Sequence, residues 1–255
     1  MSQYTYRDSH KAPDKGSTYD EDFATLPWRK FLWSREQNII LRIIKKYFVD
    51  RDIHLLDFAC GTGRIAAFLE NRVTTSTGVD VSTSMLDMAR QKLKRTEIIQ
   101  ADITCDNILQ DRRFNLITAF RFFLNAEDEL KKSVLKILVH LLAEDGYFVF
   151  NNHRNKTSPL VWGLSIYNRM RGEGANFMTM REMRELVENA GLEIVEIYPV
   201  GFLPLPRTSL SDSWNHRIDE IATKFKCLSS FSESPIAVCR RHTSQNSDEP
   251  IKGRH

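Results

Sequence analysis

The chain has 255 residues, of which 42% are hydrophobic and 27% are charged, a composition that excludes a disordered or collagen-like polymer. Lysine and arginine exceed aspartate and glutamate by only 36 − 33 = 3. Net charge therefore gives no reason to expect nucleic acid or a membrane surface as a partner.

The cysteines stand far apart, without the spacing of a disulfide framework or a zinc site, at Cys60, Cys105, Cys227 and Cys239. We therefore expect no bound metal. No apolar run approaches the ~18 residues that cross a bilayer, and the first residues lack the apolar stretch of a signal peptide. These features predict a reduced protein of the cytoplasm with no membrane span.

A polar tail is predicted for residues 1–18, followed by one domain over 19–240 and a second polar tail over 241–255. Pro27 suits the first turn of an amphipathic helix that continues to Phe48. We interpret residues 19–48 as a lid helix that precedes the first strand.

Seven apolar runs alternate with longer segments of helical period, a pattern typical of βαβ units in a mostly parallel, doubly wound α/β sheet. Each run predicts one strand. The runs are Ile53–Phe58, Ser76–Val81, Glu97–Ile99, Phe114–Ala119, Gly146–Asn151, Leu192–Tyr198 and Pro235–Cys239.

Two later helices carry clear signals. After Asn125, a candidate N-cap, one apolar stripe of helical period consists of Leu130, Val134, Ile137, Leu138 and Leu141. Thr179 and Glu182 form a capping box for a helix to Ala190, which Gly191 is placed to end. Residues 153–178 and 201–232 break the alternation, so we interpret them as cover inserts over the rim where ligands of open α/β sheets bind.

The first strand runs into a glycine turn, Asp57-Phe58-Ala59-Cys60-Gly61-Thr62-Gly63, and then into a helix. Gly61 and Gly63 allow a tight turn and a close approach of the backbone to a ligand. Asp80 stands nineteen residues after Gly61, at the end of the second strand, where an acidic side chain can accept hydrogen bonds from ribose hydroxyls. The turn therefore predicts a nucleotide-like ligand. Nicotinamide-dependent oxidoreductases have the same kind of glycine turn, so this class of enzyme is one interpretation.

Asp57 argues against a nicotinamide-dependent oxidoreductase, because dinucleotide-binding motifs usually carry an apolar residue at this position. With this acid the chain resembles the class I S-adenosylmethionine-dependent methyltransferases, whose first motif reads Asp/Glu-x-Gly-x-Gly-x-Gly. Ala59 replaces the first of those glycines. The likeness continues through VDVSTSMLDMAR, QADIT, FNLITAFRFFLN and LLAEDGYFVFNNH, over about residues 50–200.

The resemblance implies a Rossmann-like methyltransferase fold with an antiparallel last strand, and S-adenosylmethionine as the cofactor. It places Asp80 on the ribose, Asp102 on the adenine amino group and Phe120 under the cofactor. The full implied set is Asp57, Ala59, Cys60, Gly61, Thr62, Gly63, Asp80, Val81, Met85, Asp102, Ile103 and Phe120. Tyr19 as a lid residue and Arg35 as a partner of the cofactor carboxylate are further candidates; surface or packing roles are the alternative for both.

His153, directly after the fifth strand, is the candidate general base, with Asn151 and Asn152 to orient it. Arg121 and Asn125 follow the fourth strand and could contact a polar acceptor. The Asn/Asp-Pro-Pro-Tyr motif of many base-modifying methyltransferases is absent there, and no basic cluster suggests nucleic acid. The inserts are apolar and aromatic, which favours a small organic acceptor, methylated at a hydroxyl of a sugar or secondary metabolite.

Two alternatives stay open from the sequence. One is the nicotinamide-dependent oxidoreductase, which Asp57 and the Asp102 motif disfavour. The other is a non-catalytic methyltransferase-like binding module, which would apply if the inserts closed the rim to any acceptor.

Overall fold

The computed structural model describes residues 25–123, 126–159, 161–162, 177–202, 217, 221, 225 and 230–242. Tyr19, Asn125 and most of the two predicted inserts lie outside the described residues. The helices are α1 (Pro27–Tyr47), α2 (Arg64–Leu69), α3 (Thr83–Lys92), α4 (Asp128–Leu141) and α5 (Met180–Asn189). The strands are β1 (His54–Phe58), β2 (Thr75–Asp80), β3 (Thr96–Gln100), β4 (Phe114–Ala119), β5 (Leu142–Asn151), β6 (Leu192–Tyr198) and β7 (Ile236–Arg241).

The strands form one sheet in the order β3-β2-β1-β4-β5-β7-β6. The pairs from β3 to β5 are parallel, and β7 runs antiparallel to both β5 and β6. The predicted seven-stranded sheet with an antiparallel last strand is confirmed. Strand β5 begins four residues before the predicted Gly146, and β7 continues to Arg241, one residue past the predicted domain limit.

The sheet is covered on both faces, as the alternation within its strands requires. Leu56 of β1 and Phe148 of β5 belong to a core shared with α4 and α5. Leu55 and Val149, each one position away, face a second core that α1 and α2 complete. Adjacent residues of one strand therefore enter opposite layers.

Helix α1 lies across the second face, with Pro27 in its first turn as predicted. Its C-terminal end is fastened by Glu196 of β6, whose Oε2 accepts from Lys46 Nζ at 2.9 Å, Tyr47 Oη at 2.9 Å and Tyr198 Oη at 2.6 Å. We call these four residues the Glu196 anchor. Across the described ranges, no helix combines the length and the apolar character that a membrane span needs.

The capping box is confirmed: Thr179 Oγ1 accepts from Glu182 N–H at 3.1 Å, and Glu182 Oε2 accepts from Thr179 N–H at 2.7 Å. The prediction for α4 was wrong at its start. The helix begins at Asp128, so the N-cap position belongs to Glu127 and not to Asn125. Just before the helix, the Ala126 N–H donates to the Phe122 carbonyl at 3.2 Å.

Candidate functional site

The glycine turn connects β1 to α2 at the carboxyl edge of the sheet. Gly61 and Gly63 have φ angles of 55° and 75°. A Cβ atom on Gly63 would lie 2.8 Å from Leu93 Cδ1, and one on Gly61 would lie 3.3 Å from Met85 Sδ. Gly63 therefore permits both the left-handed backbone and the close packing of α2 on α3.

Asp80 fixes this turn from the end of β2. Its Oδ2 accepts from Gly61 N–H at 2.8 Å, and its Oδ1 accepts from Ser82 N–H at 2.9 Å. Each carboxylate oxygen can accept a second hydrogen bond. The side chain can thus hold the glycine turn and accept from a ligand hydroxyl at the same time.

Asp57 lies beneath the turn, with only 1% of its surface exposed. Its Oδ1 accepts from Thr118 Oγ1 on β4 at 2.8 Å, and its Oδ2 accepts from Ala66 N–H in the first turn of α2 at 3.2 Å. Burial raises the pKa of this carboxyl to about 7. Asp57 therefore ties β1, β4 and α2 together and gains or loses a proton close to neutrality.

Ala59 departs from the glycine pattern at a position where the structure needs a positive φ. Its φ is 51°, in the left-handed region that a Cβ atom disfavours. The alanine is therefore a strained member of the turn.

Replacing Ala59 by glycine should relieve this strain. We expect the free energy of unfolding to rise by up to about 1 kcal/mol, because the native strain released outweighs the greater freedom of glycine in the unfolded chain. Urea denaturation of both proteins measures the change. A loss of stability would show that the Ala59 methyl group contributes more by packing than its backbone angle costs.

A small, partly open cavity lies beside the turn. It unites residues from the ends of β1, β2 and β3 with side chains that follow β4. Its walls are Phe58, Ala59, Asp80, Val81, Ala101, Asp102, Ile103, Phe122, Leu130 and Val134. Five of the predicted cofactor residues, Ala59, Asp80, Val81, Asp102 and Ile103, thus line one cavity, with two carboxylates and two branched apolar side chains among them.

Other predicted cofactor residues are not among those that line this cavity. Phe120 is buried on the face that α1 covers, whereas Phe122, which is not among the predicted residues, lines the cavity. The backbone carbonyl of buried Thr62 accepts from Lys92 Nζ at 3.3 Å. Cys60 packs against β2, and burial raises its thiol pKa well above the ordinary value, so this cysteine is not a ready nucleophile.

His153 lies at the rim, two residues beyond the end of β5. Its Nδ1 is 3.3 Å from Ser234 Oγ, which also accepts from Asn151 Nδ2 at 3.3 Å. The pKa of His153 lies well below its usual range, mainly because the side chain is buried and also because Arg121 and Arg154 carry positive charges nearby. The imidazole is therefore neutral, and Ser234 is an orienting partner that sequence reasoning missed.

Arg121 also lies at this rim, with a φ of 64°. Its backbone N–H donates to Asn151 Oδ1 at 2.7 Å, and its guanidinium is ion-paired with Glu36 at 2.8 Å. Only 11% of this side chain is exposed, so Arg121 is not a solvated surface arginine. Asn152, predicted to orient His153, instead donates from its Nδ2 to the Met178 carbonyl at 2.9 Å. Arg35, the predicted partner of the cofactor carboxylate, is buried within α1.

Comparisons with known proteins agree with this geometry. Residues 55–146 match a family model described as a methyltransferase domain. The chain is 23% identical over 176 residues to a ubiquinone biosynthesis O-methyltransferase of Coxiella burnetii, covering 65% of this chain and 74% of that protein. It is 33% identical over 131 residues to a demethylmenaquinone methyltransferase of Leptospira interrogans, covering 48% and 51%.

Two solved structures share the fold. One is a SAM-dependent methyltransferase from Thermotoga maritima, described as a possible histamine N-methyltransferase, with a TM-score of 0.63, 16% identity and coverage of 88% and 94%. The other is the magnesium protoporphyrin IX methyltransferase of Synechocystis with bound SAH, with a TM-score of 0.57, 13% identity and coverage of 89% and 99%.

Proposed function

Since this chain is a class I S-adenosylmethionine-dependent methyltransferase, we propose that it methylates a hydroxyl group of a small organic acceptor. The cavity at the ends of β2 and β3 carries this proposal. There Asp80 and Asp102 present carboxylates beside a glycine turn, next to the apolar side chains of Val81 and Ile103.

These residues fit the cofactor. Asp80 can accept from ribose hydroxyls, and Asp102 can accept from the adenine amino group. Oδ1 of Asp102 also accepts from the Thr104 N–H at 3.0 Å, which fixes this side chain in a turn after β3. Val81 and Ile103 supply apolar surface for the adenine ring.

S-adenosylmethionine supplies an electrophilic methyl group on a positively charged sulfur. The protein's part is to align an acceptor oxygen with that methyl group and to exclude water. We assign His153 the role of general base that takes the acceptor proton, with Ser234 and Asn151 orienting the imidazole. A neutral histidine has the free electron pair that this role requires.

The proposed acceptor class is supported by one further observation. The similarity to a ubiquinone biosynthesis O-methyltransferase favours transfer to oxygen on a small organic molecule. A sugar or another secondary metabolite is the acceptor that we propose to test first. Incubating metabolite extracts with labelled S-adenosylmethionine and isolating the labelled product identifies it; label only in nucleic acid or protein would overturn the small-molecule proposal.

Replacing His153 by alanine tests the base. With the acceptor so identified, we expect kcat to fall by about 10- to 100-fold, the lower part of the range for general bases, because a histidine of lowered pKa is a weak base. Since His153 is already neutral at pH 7, wild-type kcat should show no loss as the pH falls from 7 to 6. S-adenosylhomocysteine affinity should stay within about twofold, since the imidazole lies outside the cofactor cavity.

His54→Ala is the matched control, because His54 lies at the opposite edge of the sheet, with its Nδ1 2.9 Å from Thr75 Oγ1. Equal kcat in wild type and His153→Ala would remove His153 from the mechanism without affecting the methyltransferase assignment.

A further inference from the structure

Glu36, on the buried face of α1, is an enclosed carboxylate that the mechanism above leaves unused. Only 1% of its surface is exposed. Its Oε2 pairs with Arg64 Nη1 at 2.9 Å, and its Oε1 pairs with Arg121 Nη2 at 2.8 Å. We call these three residues the Glu36 triad.

The two arginines belong to different loops of the site. Arg64 directly follows Gly63 of the glycine turn and is the first residue of α2. Arg121 follows β4 and bonds through its backbone to Asn151 at the end of β5. One carboxylate of α1 therefore joins the glycine turn to the rim where His153 lies.

Glu36 offsets the positive charge of both guanidiniums. The side chains of Arg64 and Arg121 are 14% and 11% exposed, so solvent screens their mutual repulsion weakly. Removing the carboxylate between them takes away a negative charge that both partly buried cations contact, and breaking buried ion pairs in this way is strongly unfavourable.

Trp33 adds a second contact between the same elements. It precedes Glu36 by three residues, on the same side of α1. The Arg64 guanidinium lies 4.3 Å from the centre of the Trp33 ring, and the Trp33 ring meets Phe68 of α2 edge-on at 5.7 Å. The orientation of α2 is thus set by α1 at both its charged and its aromatic contacts.

We infer that Glu36 is a positioning residue for cofactor binding, which holds the glycine turn and the loop after β4 in their binding geometry through Arg64 and Arg121. This inference rests on the proposed function. Docking of α1 and binding of the cofactor are then linked, so that each favours the other.

Glu36→Gln tests the inference, with S-adenosylhomocysteine as the probe in calorimetry at a temperature where every variant is folded by circular dichroism. We expect affinity to fall at least tenfold. Glu196→Gln is the matched control, because it weakens the Glu196 anchor at the other end of the same helix, away from the cavity; its affinity should stay within twofold of wild type.

A second calorimetric experiment tests whether Glu36 acts through Arg64 and Arg121. In a background of Arg64→Gln and Arg121→Gln, adding Glu36→Gln should change affinity by less than twofold, because no partner is left to position. If Glu36→Gln alone does not fold, Arg121→Gln, which leaves the Arg64 pair intact, should lower affinity about threefold.

If Glu36→Gln binds S-adenosylhomocysteine as tightly as wild type does, the inference is wrong. The same holds for Arg121→Gln if that variant is used because Glu36→Gln does not fold. An equal loss in Glu196→Gln would also overturn the inference, since helix docking alone would then explain it. If wild type itself binds no S-adenosylhomocysteine, the proposed function fails, and the inference with it; wild-type binding separates the two failures.

Discussion

Replacing Asp80 by alanine is expected to weaken S-adenosylhomocysteine binding by about 2 to 4 kcal/mol, or roughly 30- to 1,000-fold. Loss of hydrogen bonds from ribose hydroxyls to a charged group supplies about 1.5 to 3 kcal/mol of this change. The remainder comes from the turn, because the N–H groups of Gly61 and Ser82 lose the acceptor that holds them. Calorimetric titration of both proteins measures the change.

Asp87→Ala is the matched control for Asp80→Ala. It removes one negative charge from the next helix, where Asp87 pairs with Arg90 in an exposed position. Its affinity should match that of wild type. If Asp80→Ala also bound S-adenosylhomocysteine with wild-type affinity, Asp80 could not be the ribose ligand, and the cofactor would have to lie elsewhere on the rim.

Asp80 could be predicted from the sequence because its evidence is local. The glycine turn, strand β2 and the acid all fall within the 24 residues from Asp57 to Asp80, and strand periodicity places the acid at the carboxyl edge of β2. The same periodicity predicted the strands, because Leu55 and Leu56 must enter opposite layers when both faces of the sheet are covered.

The Glu36 triad could not be predicted, because its members lie 28 and 85 residues apart. Nothing local distinguishes Glu36 from the other charged residues of an amphipathic helix, and only the crossing of α1 over the sheet brings it to Arg64 and Arg121. The same applies to Ser234, 81 residues from His153. A small signal existed for Arg64, since the residue after a glycine turn lies at the N-terminus of a helix near the ligand.

Phe122 lines the cavity in place of the predicted Phe120 for a different reason. Both follow the end of β4 within a run of apolar residues, so composition does not tell which ring faces the cavity. Arg121, which lies between them, has a left-handed backbone that changes the direction of the chain. The Phe122 ring therefore packs against the Phe58 ring, with 5.0 Å between the ring centres. A single backbone angle of this kind is not readable from the side-chain pattern.

Replacing Asp57 by asparagine is expected to stabilise the fold in a pH-dependent manner, by up to about 4 kcal/mol above pH 7. Burial raises the pKa of Asp57 to about 7, against about 3.9 in an unfolded chain. Between these values the folded state keeps a proton that the unfolded state releases, so the wild type loses stability as the pH rises from about 4 to 7. Asparagine cannot ionise and therefore avoids this loss.

Urea denaturation at several pH values measures the effect. The difference in unfolding free energy between Asp57→Asn and wild type should grow by about 2 to 3 kcal/mol from pH 5 to pH 7, at 1.36 kcal/mol per pH unit at most, and change little above pH 8. Asp87→Asn, which removes an exposed carboxylate, controls for the loss of one charge. A constant difference across this range would mean that Asp57 does not titrate there, so that its bonds to Thr118 and Ala66 must hold the ionised form more firmly than burial opposes it.

If Asp57→Asn is more stable at pH 8 yet binds S-adenosylhomocysteine more weakly, the carboxylate is retained at the expense of stability. The reason would lie in its bond to Ala66, because a charged acceptor holds the first turn of α2 more strongly than a neutral amide does. That turn begins directly after Gly63, so the order of the cofactor loop would depend on a buried charge that the fold alone disfavours. Unchanged affinity in the more stable variant would instead assign Asp57 to the packing of β1 against β4 through Thr118.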